Sequence, residues 1–115
     1  MQKINEDKLE NPVVDLTGAR KGKLDENYLV ALGGIIKYIM GTMFNPGGNT
    51  PSAFTIRGTK SEANAFLSAL GAEKKYIESF MKHGLNNPTT YKNSRKLAGA
   101  TRAFTNATGL KWPFK

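Results

Sequence analysis

Apolar residues recur at the spacing of an α-helix in three segments, 25–44, 60–83 and 94–108, which predicts a mainly α fold with three helices. The first segment is apolar almost all round, and Lys37 is the only charge in its central run. The second keeps one apolar face in phase through Gly71, which favours one long helix over two short ones. The residues of that face are Ala63, Phe66, Leu67, Leu70, Ile77, Phe80 and Met81.

Residues that start and stop helices support these limits. Thr59 and Glu62 form the capping box of the sequence TKSE, at the start of the second helix. Gly84 and Gly109 suit the positions that follow helix C-termini. The stretch before the third helix predicts a turn, with one helical turn allowed after Pro88. The other N-terminal caps are expected at Asp25 for the first helix and at Asn93 or Ser94 for the third.

Outside the helices, the pattern predicts a flexible arm and loops. Residues 1–23 are polar and contain turn formers, so we expect an extended N-terminal arm ahead of a helical domain at 24–115. Two short runs, Val13–Leu16 and Ala53–Ile56, favour extended structure. A single strand is not stable by itself. We therefore expect these runs to pair, as at most a short two-stranded β element in a single domain.

Three interpretations of the apolar segment 25–44 compete. A membrane span is disfavoured by its length, its polar flanks and Lys37 near its middle, so we expect no membrane partner. A buried core helix is the main interpretation, because helices that are apolar all round usually lie in a core. The alternative is a homo-oligomer contact, in which a second backbone approaches the small residues Ala31, Gly34 and Gly41.

The charge of the chain is distributed unevenly. Among 115 residues there are 17 Lys and Arg against 9 Asp and Glu, so the formal net charge is +8. Residues 89–115 contain six of the cations and none of the acids. This concentration points to a polyanionic partner, either nucleic acid or an acidic protein.

The sequence shows no catalytic or metal-ligating pattern. There is no cysteine, and the one histidine, His83, is explained by the dipole at a helix C-terminus. The acids Glu62, Glu73 and Glu78 are spread along the second helix instead of clustering at ligand spacing. The stretch TGARKGK at 17–23 lacks residues that a phosphate-binding P-loop requires. We therefore expect a non-enzymatic protein without cofactor or metal.

The basic C-terminal segment is the main candidate for a function. Phosphates attract clustered cations whatever the base sequence, and nearby aromatic rings can stack on unpaired bases. No helix-turn-helix or zinc-finger signature supports base-specific recognition. The residues predicted to bind an anion are Lys92, Arg95, Lys96, Arg102, Lys111 and Lys115.

The aromatic residues Tyr91, Trp112 and Phe114 have two interpretations. They either stack on bases or anchor the chain end, TGLKWPFK, against the core. Large rings in a small domain usually complete the core, so we expect Trp112 to be mostly buried against Phe104 and the second helix. On this interpretation the aromatic rings anchor the tail and the cations bind.

Motifs in the second half of the chain resemble those of small uncharacterised tailed-bacteriophage proteins. The resemblance rests on RGTKSE, EKKYI, HGL, TYK and the terminal TGLKWPFK. It implies a phage origin, and hence a location in the host cytoplasm or in the virion. It implies no activity and no functional residues.

The leading hypothesis is a small basic non-enzymatic protein that binds nucleic acid without strong sequence specificity. One alternative is a virion structural or assembly protein that self-associates through helix 25–44. Another is a small inhibitor that docks on an acidic host protein. The polar start QKINEDKLENP lacks the apolar run of a signal peptide, so we expect the protein inside a cell or a particle.

Overall fold

The computed structural model describes residues 12–43 and 54–114, which form three helices and one small sheet. The elements are strand β1 (Val13–Asp15), helix α1 (Glu26–Met43), strand β2 (Thr55–Arg57), helix α2 (Lys60–His83) and helix α3 (Pro88–Thr108). The prediction of a mainly α fold is confirmed. Residues 1–11 of the expected arm, Ala53 of the expected second strand, and Lys115 lie outside the described residues.

The first two helices begin at the predicted caps. Asp25 Oδ1 accepts a hydrogen bond from the backbone N–H of Tyr28 at 2.8 Å, which satisfies one free donor of the first turn of α1. The capping box of α2 is complete. The Thr59 hydroxyl oxygen accepts from Glu62 N at 3.1 Å, and Glu62 Oε1 accepts from Thr59 N at 2.8 Å.

Helix α3 begins six residues earlier than predicted, and the expected caps Asn93 and Ser94 lie inside it. Asn87 is the cap, and its Oδ1 accepts from Thr89 N at 2.8 Å. Pro88 occupies the first turn, where its missing N–H costs nothing. The Asn93 side chain instead donates to the hydroxyl of Ser79 on α2. The pair Asn-Pro is therefore the true start signal of this helix.

The two long helices end at glycines in different conformations. Gly109 is left-handed, with φ 76° and ψ 9°, as its position after α3 predicts. Gly84 also has positive φ, at 80°, but its ψ of 176° is extended. Each glycine N–H donates to a carbonyl of the last turn, that of Gly84 to Phe80 at 2.9 Å and that of Gly109 to Thr105 at 2.7 Å.

The predicted pairing of the two extended runs is confirmed, and the strands are parallel. Val14 lies opposite Ile56 in the register. Leu16 N donates to the carbonyl of Arg57 at 2.9 Å beyond the end of the ladder. Val14 and Leu16 are fully buried, so this part of the expected arm belongs to the core.

The core lies where α2 meets the other elements. Phe66 of α2, Phe104 of α3 and Trp112 of the tail are its aromatic centre. Helix α1 contributes one face to it, formed by Leu32, Ile36, Ile39 and Met40. Only part of the face predicted for α2 is buried, because Leu67 lies on its flank while Phe80 and Met81 lie in its last turns. These three residues are 46%, 46% and 68% exposed, and the acids Glu62 and Glu73 are buried instead.

Candidate nucleic-acid-binding surface

Helix α3 carries a row of exposed cations on the side away from the core. We call Lys92, Arg95, Lys96 and Arg102 the basic face. Their spacings of three, four and seven residues place them on one side of a helix. Phe104, on the opposite side, is fully buried. The sequence-predicted helix cations are thus brought together and presented to solvent.

One exposed aromatic ring belongs to this surface. Tyr91 is 62% exposed, and the guanidinium of Arg95 lies 5.8 Å from its ring centre. A cation at that distance is attracted by the π-face of the ring. Tyr91 and Arg95 thus combine an exposed aromatic ring with a cation, and such combinations favour stacking of unpaired bases.

The tail is folded back onto the core, as expected. Trp112 is 7% exposed, and its ring centre lies 5.2 Å from that of Phe104 and 6.1 Å from that of Phe66. Phe114 is half-buried and packs at 5.8 Å on Trp112. The ring of Trp112 therefore anchors the tail, whereas Lys111 beside it remains exposed.

The buried indole has one polar partner, which sequence reasoning missed. Trp112 Nε1 donates to Oε1 of Glu73 at 2.8 Å, and Glu73 is 5% exposed. Burial raises the pKa of this carboxyl group above its usual value, and the indole hydrogen bond opposes that shift. The contact joins residues 39 positions apart, so no local pattern could have indicated it.

A groove of about 900 Å³ runs between α2, α3 and the tail, and we call it the tail groove. Glu73 and Tyr76 line it from α2, and Thr101 and Arg102 line it from α3. Its third wall is the tail, with Lys111, Trp112 and Phe114. Anchoring of the tail thus brings Lys111 to the same groove as Arg102.

Cations of α2 extend the basic surface on the other side of α3. Lys75 and Lys96 line a second groove of about 320 Å³ together with Asn93. Lys75 and Lys82 also share a smaller depression with Asn93 and Glu78. Glu78 accepts a hydrogen bond from Lys74 at 2.8 Å, so part of its charge is compensated. Sequence reasoning overlooked Lys75 and Lys82, although their spacing of seven residues places them on one side of α2.

The small residues proposed for self-association all lie on the outer side of α1. Ala31, Gly34 and Gly41 are exposed, and a Cβ atom added at either glycine would meet no atom of the residues that the structure describes within 4 Å. Val30 on the same side is 67% exposed. Within the described residues, the core therefore does not pack closely on Gly34 or Gly41, and the contact with a second copy of the chain stays a prediction. The helix has one buried face and one open face, although its sequence is apolar all round.

The basic stretch at 17–23 does not form a phosphate-binding loop. Gly18 N donates to the Tyr28 hydroxyl at 3.1 Å, and that hydroxyl donates to the carbonyl of Asp15 at 2.6 Å. A Cβ at Gly18 would lie 2.3 Å from the Tyr28 ring, so the close approach requires glycine. Arg20 binds Glu62 through two hydrogen bonds, at 3.0 and 3.3 Å. These groups are occupied by contacts within the chain.

The described residues contain neither a metal-binding cluster nor a membrane-spanning helix. Within residues 12–43 and 54–114, no group of three or more His, Asp or Glu side chains is placed to hold a metal ion. Of the helices in the same described ranges, none has the length and apolar character needed to cross a membrane.

Comparisons of the chain with protein-family models, with curated proteins and with solved structures found no match.

Proposed function

We propose that this chain is a small non-enzymatic protein that binds nucleic acid without strong sequence specificity, through the basic face of α3 and Lys111. The observation that carries the proposal is the clustering of exposed cations on one side of α3, in a stretch of 27 residues, 89–115, that contains no acid. A host cytoplasm or a virion is the location that fits this function and the phage resemblance.

The geometry of the surface suits a phosphate backbone better than a single small anion. The four cations extend from Lys92 to Arg102, which corresponds to about 15 Å along a helix at 1.5 Å per residue. Each cation that neutralises a phosphate releases condensed counterions, and this release favours binding regardless of base sequence. Lys75 and Lys82 of α2 widen the positive surface next to the first half of α3.

The test is a salt series of binding measurements with a fluorescent oligonucleotide of mixed sequence, single-stranded and duplex. The double variant Arg95→Gln/Arg102→Gln should weaken binding. It should also make the slope of log K against log salt less negative by up to about 1.8 on duplex, because about 0.9 is lost per phosphate contact. The matched control is Lys21→Gln/Lys37→Gln, which removes the same charge from exposed residues outside the basic face and should keep the slope. No binding of wild type at low salt would overturn the proposal.

The open face of α1 favours a second candidate, a structural or assembly protein of a phage particle that self-associates through this helix. Val30 exposes two-thirds of its surface there, and Gly34 would let a second backbone approach closely. Size-exclusion mass with and without nucleic acid separates the candidates. A monomer whose mass rises with nucleic acid supports binding, whereas an oligomer indifferent to nucleic acid supports assembly.

A further inference from the structure

The tail groove contains a carboxylate that the fold does not fully use. Glu73 lines the groove and accepts one hydrogen bond, from Trp112 Nε1 to its Oε1. Its second oxygen, Oε2, accepts none from the residues that the structure describes. In that part of the chain every fully buried side-chain oxygen or nitrogen has a hydrogen-bond partner. Oε2 has none, so it retains some solvent-accessible surface, and the groove is a cavity that Glu73 lines. A carboxylate in this position can accept a hydrogen bond from a bound ligand.

Two cations line the same groove as the Glu73 carboxylate. Arg102 projects from α3 and Lys111 from the tail, and both line the groove while remaining exposed. Thr101 and Tyr76 add hydroxyl groups to the walls. The volume of about 900 Å³ falls within the usual range of ligand sites, about 300–1,000 Å³. The groove therefore offers an acceptor in its floor, cations beside it and aromatic rings at one wall.

The carboxylate and the cations together disfavour two simpler kinds of ligand, an inorganic anion and an apolar molecule. An inorganic anion would bring its charge towards the carboxylate of Glu73. An apolar ligand would cover Oε2 without giving it a donor, which leaves a buried acceptor unsatisfied. A ligand that pairs with both the carboxylate and the cations of the groove has N–H donors at one end and an anionic group at the other. A nucleotide has both, in its base and its phosphate.

We propose that the tail groove holds one unpaired base of a single strand, whose amino group donates to Glu73 while the flanking phosphates bind Arg102 and Lys111. The inference rests on the proposed function, and it names the form of nucleic acid that the surface prefers. In a duplex the Watson–Crick edge is already paired, so the groove selects single strands. The basic face binds the phosphates on either side of the inserted base.

The carboxylate also sets a modest base preference. Cytosine presents its N4 amino group, which is the donor that Glu and Asp accept in known base contacts. Thymine presents an N3–H between two carbonyl oxygens, and these oxygens would face the carboxylate. Binding to oligo-dC should therefore be stronger than binding to oligo-dT, by about tenfold for a charge-assisted hydrogen bond.

The test compares oligo-dC and oligo-dT of equal length at slightly alkaline pH, with wild type, Glu73→Gln and Glu78→Gln. The Glu73→Gln side chain keeps an oxygen for Trp112 Nε1 but turns an amide NH₂ towards the groove, which can donate to thymine O4. The ratio of the two dissociation constants should fall to about one or invert. Glu78→Gln removes the same charge from an exposed site of the same helix and should keep the wild-type ratio.

Failure of the inference and failure of the proposed function give different results. If wild type binds both oligonucleotides firmly and equally, the base site is wrong and the phosphate-binding function stands. If wild type binds neither at low salt, the function itself is wrong. The ratio of the oligo-dC and oligo-dT dissociation constants of wild type is measured without any variant. The inference can therefore be contradicted even if Glu73→Gln fails to fold.

Discussion

Helix α2 contains two buried glutamates in contrasting surroundings. Glu62 and Glu73 expose 4% and 5% of their surface. Glu62 accepts three hydrogen bonds, one from Thr59 N and two from the guanidinium of Arg20. Glu73 accepts one, from the neutral indole of Trp112.

The pKa values of the two carboxyl groups shift in opposite directions, although burial by itself raises both. The Arg20 hydrogen bond lowers the pKa of Glu62, against the opposing effect of desolvation. Burial raises the pKa of Glu73, because a single neutral donor does not offset the lost hydration. The partners of a buried acid, and not its exposure, therefore decide whether it stabilises the fold. Glu62 serves the structure, whereas Glu73 retains an acceptor for a ligand.

The largest effect should come from removing the donor of Glu73. Trp112→Ala should lower the free energy of unfolding by roughly 3–5 kcal/mol, because the ring fills the aromatic centre and its loss leaves a cavity. Urea unfolding measures the change. Trp112→Phe removes Nε1–H together with one of the two fused rings but keeps a buried aromatic side chain, so it should cost less. A Trp112→Ala variant within 1 kcal/mol of wild type would show that the tail does not anchor the fold.

A smaller effect is expected at the other glutamate. Glu62→Ala should cost about 2 kcal/mol, because it removes the second half of the capping box and the partner of Arg20. Glu62→Gln keeps the capping interaction and loses only the ion pair, in which Arg20 is 47% exposed, so it should cost less than about 1 kcal/mol. Glu78→Ala, at an exposed pair, is the control and should cost about 0.5 kcal/mol or less. Equal losses at Glu62 and Glu78 would contradict the structural role of Glu62.

The smallest expected effect is the pH dependence of stability, which should differ between Glu62 and Glu73. The pKa of Glu62 is lowered from 4.5, so its stabilisation is present above pH 4.5 and is lost as pH falls towards the folded-state value. The pKa of Glu73 is raised from 4.5, so the folded state holds its proton more tightly, and stability declines as pH rises from 4.5 through the raised value. Urea midpoints measured across pH should therefore differ between the two variants. Glu73→Gln should lack the decline in stability above pH 4.5, and Glu62→Gln should lack the decline in stability below pH 4.5. If both variants gave curves of urea midpoint against pH parallel to that of wild type, the proposed difference between Glu62 and Glu73 would be wrong.

Local patterns were sufficient for the outline of the fold. The periodicity of apolar residues predicted three helices, and short capping sequences predicted where α1 and α2 begin, because these signals operate over a few residues. The basic face followed from the same spacing, since residues three, four and seven apart share one side of a helix. The start of α3 was missed because two capping signals were available, and the pair Asn87-Pro88 prevailed over Asn93.

The sequence by itself determined the three helices, the N-terminal cap residues of α1 and α2, and the row of cations on α3. Only the tertiary structure decided which apolar residues are buried: α1 leaves Val30 and Gly34 exposed, because neighbours cover one of its faces only. It also decided that Glu73 meets Trp112 and that Arg20 meets Glu62. These pairs join residues 39 and 42 positions apart, and such contacts depend on how whole helices and the tail pack. The tail groove, formed by three segments distant in the chain, follows from that packing alone.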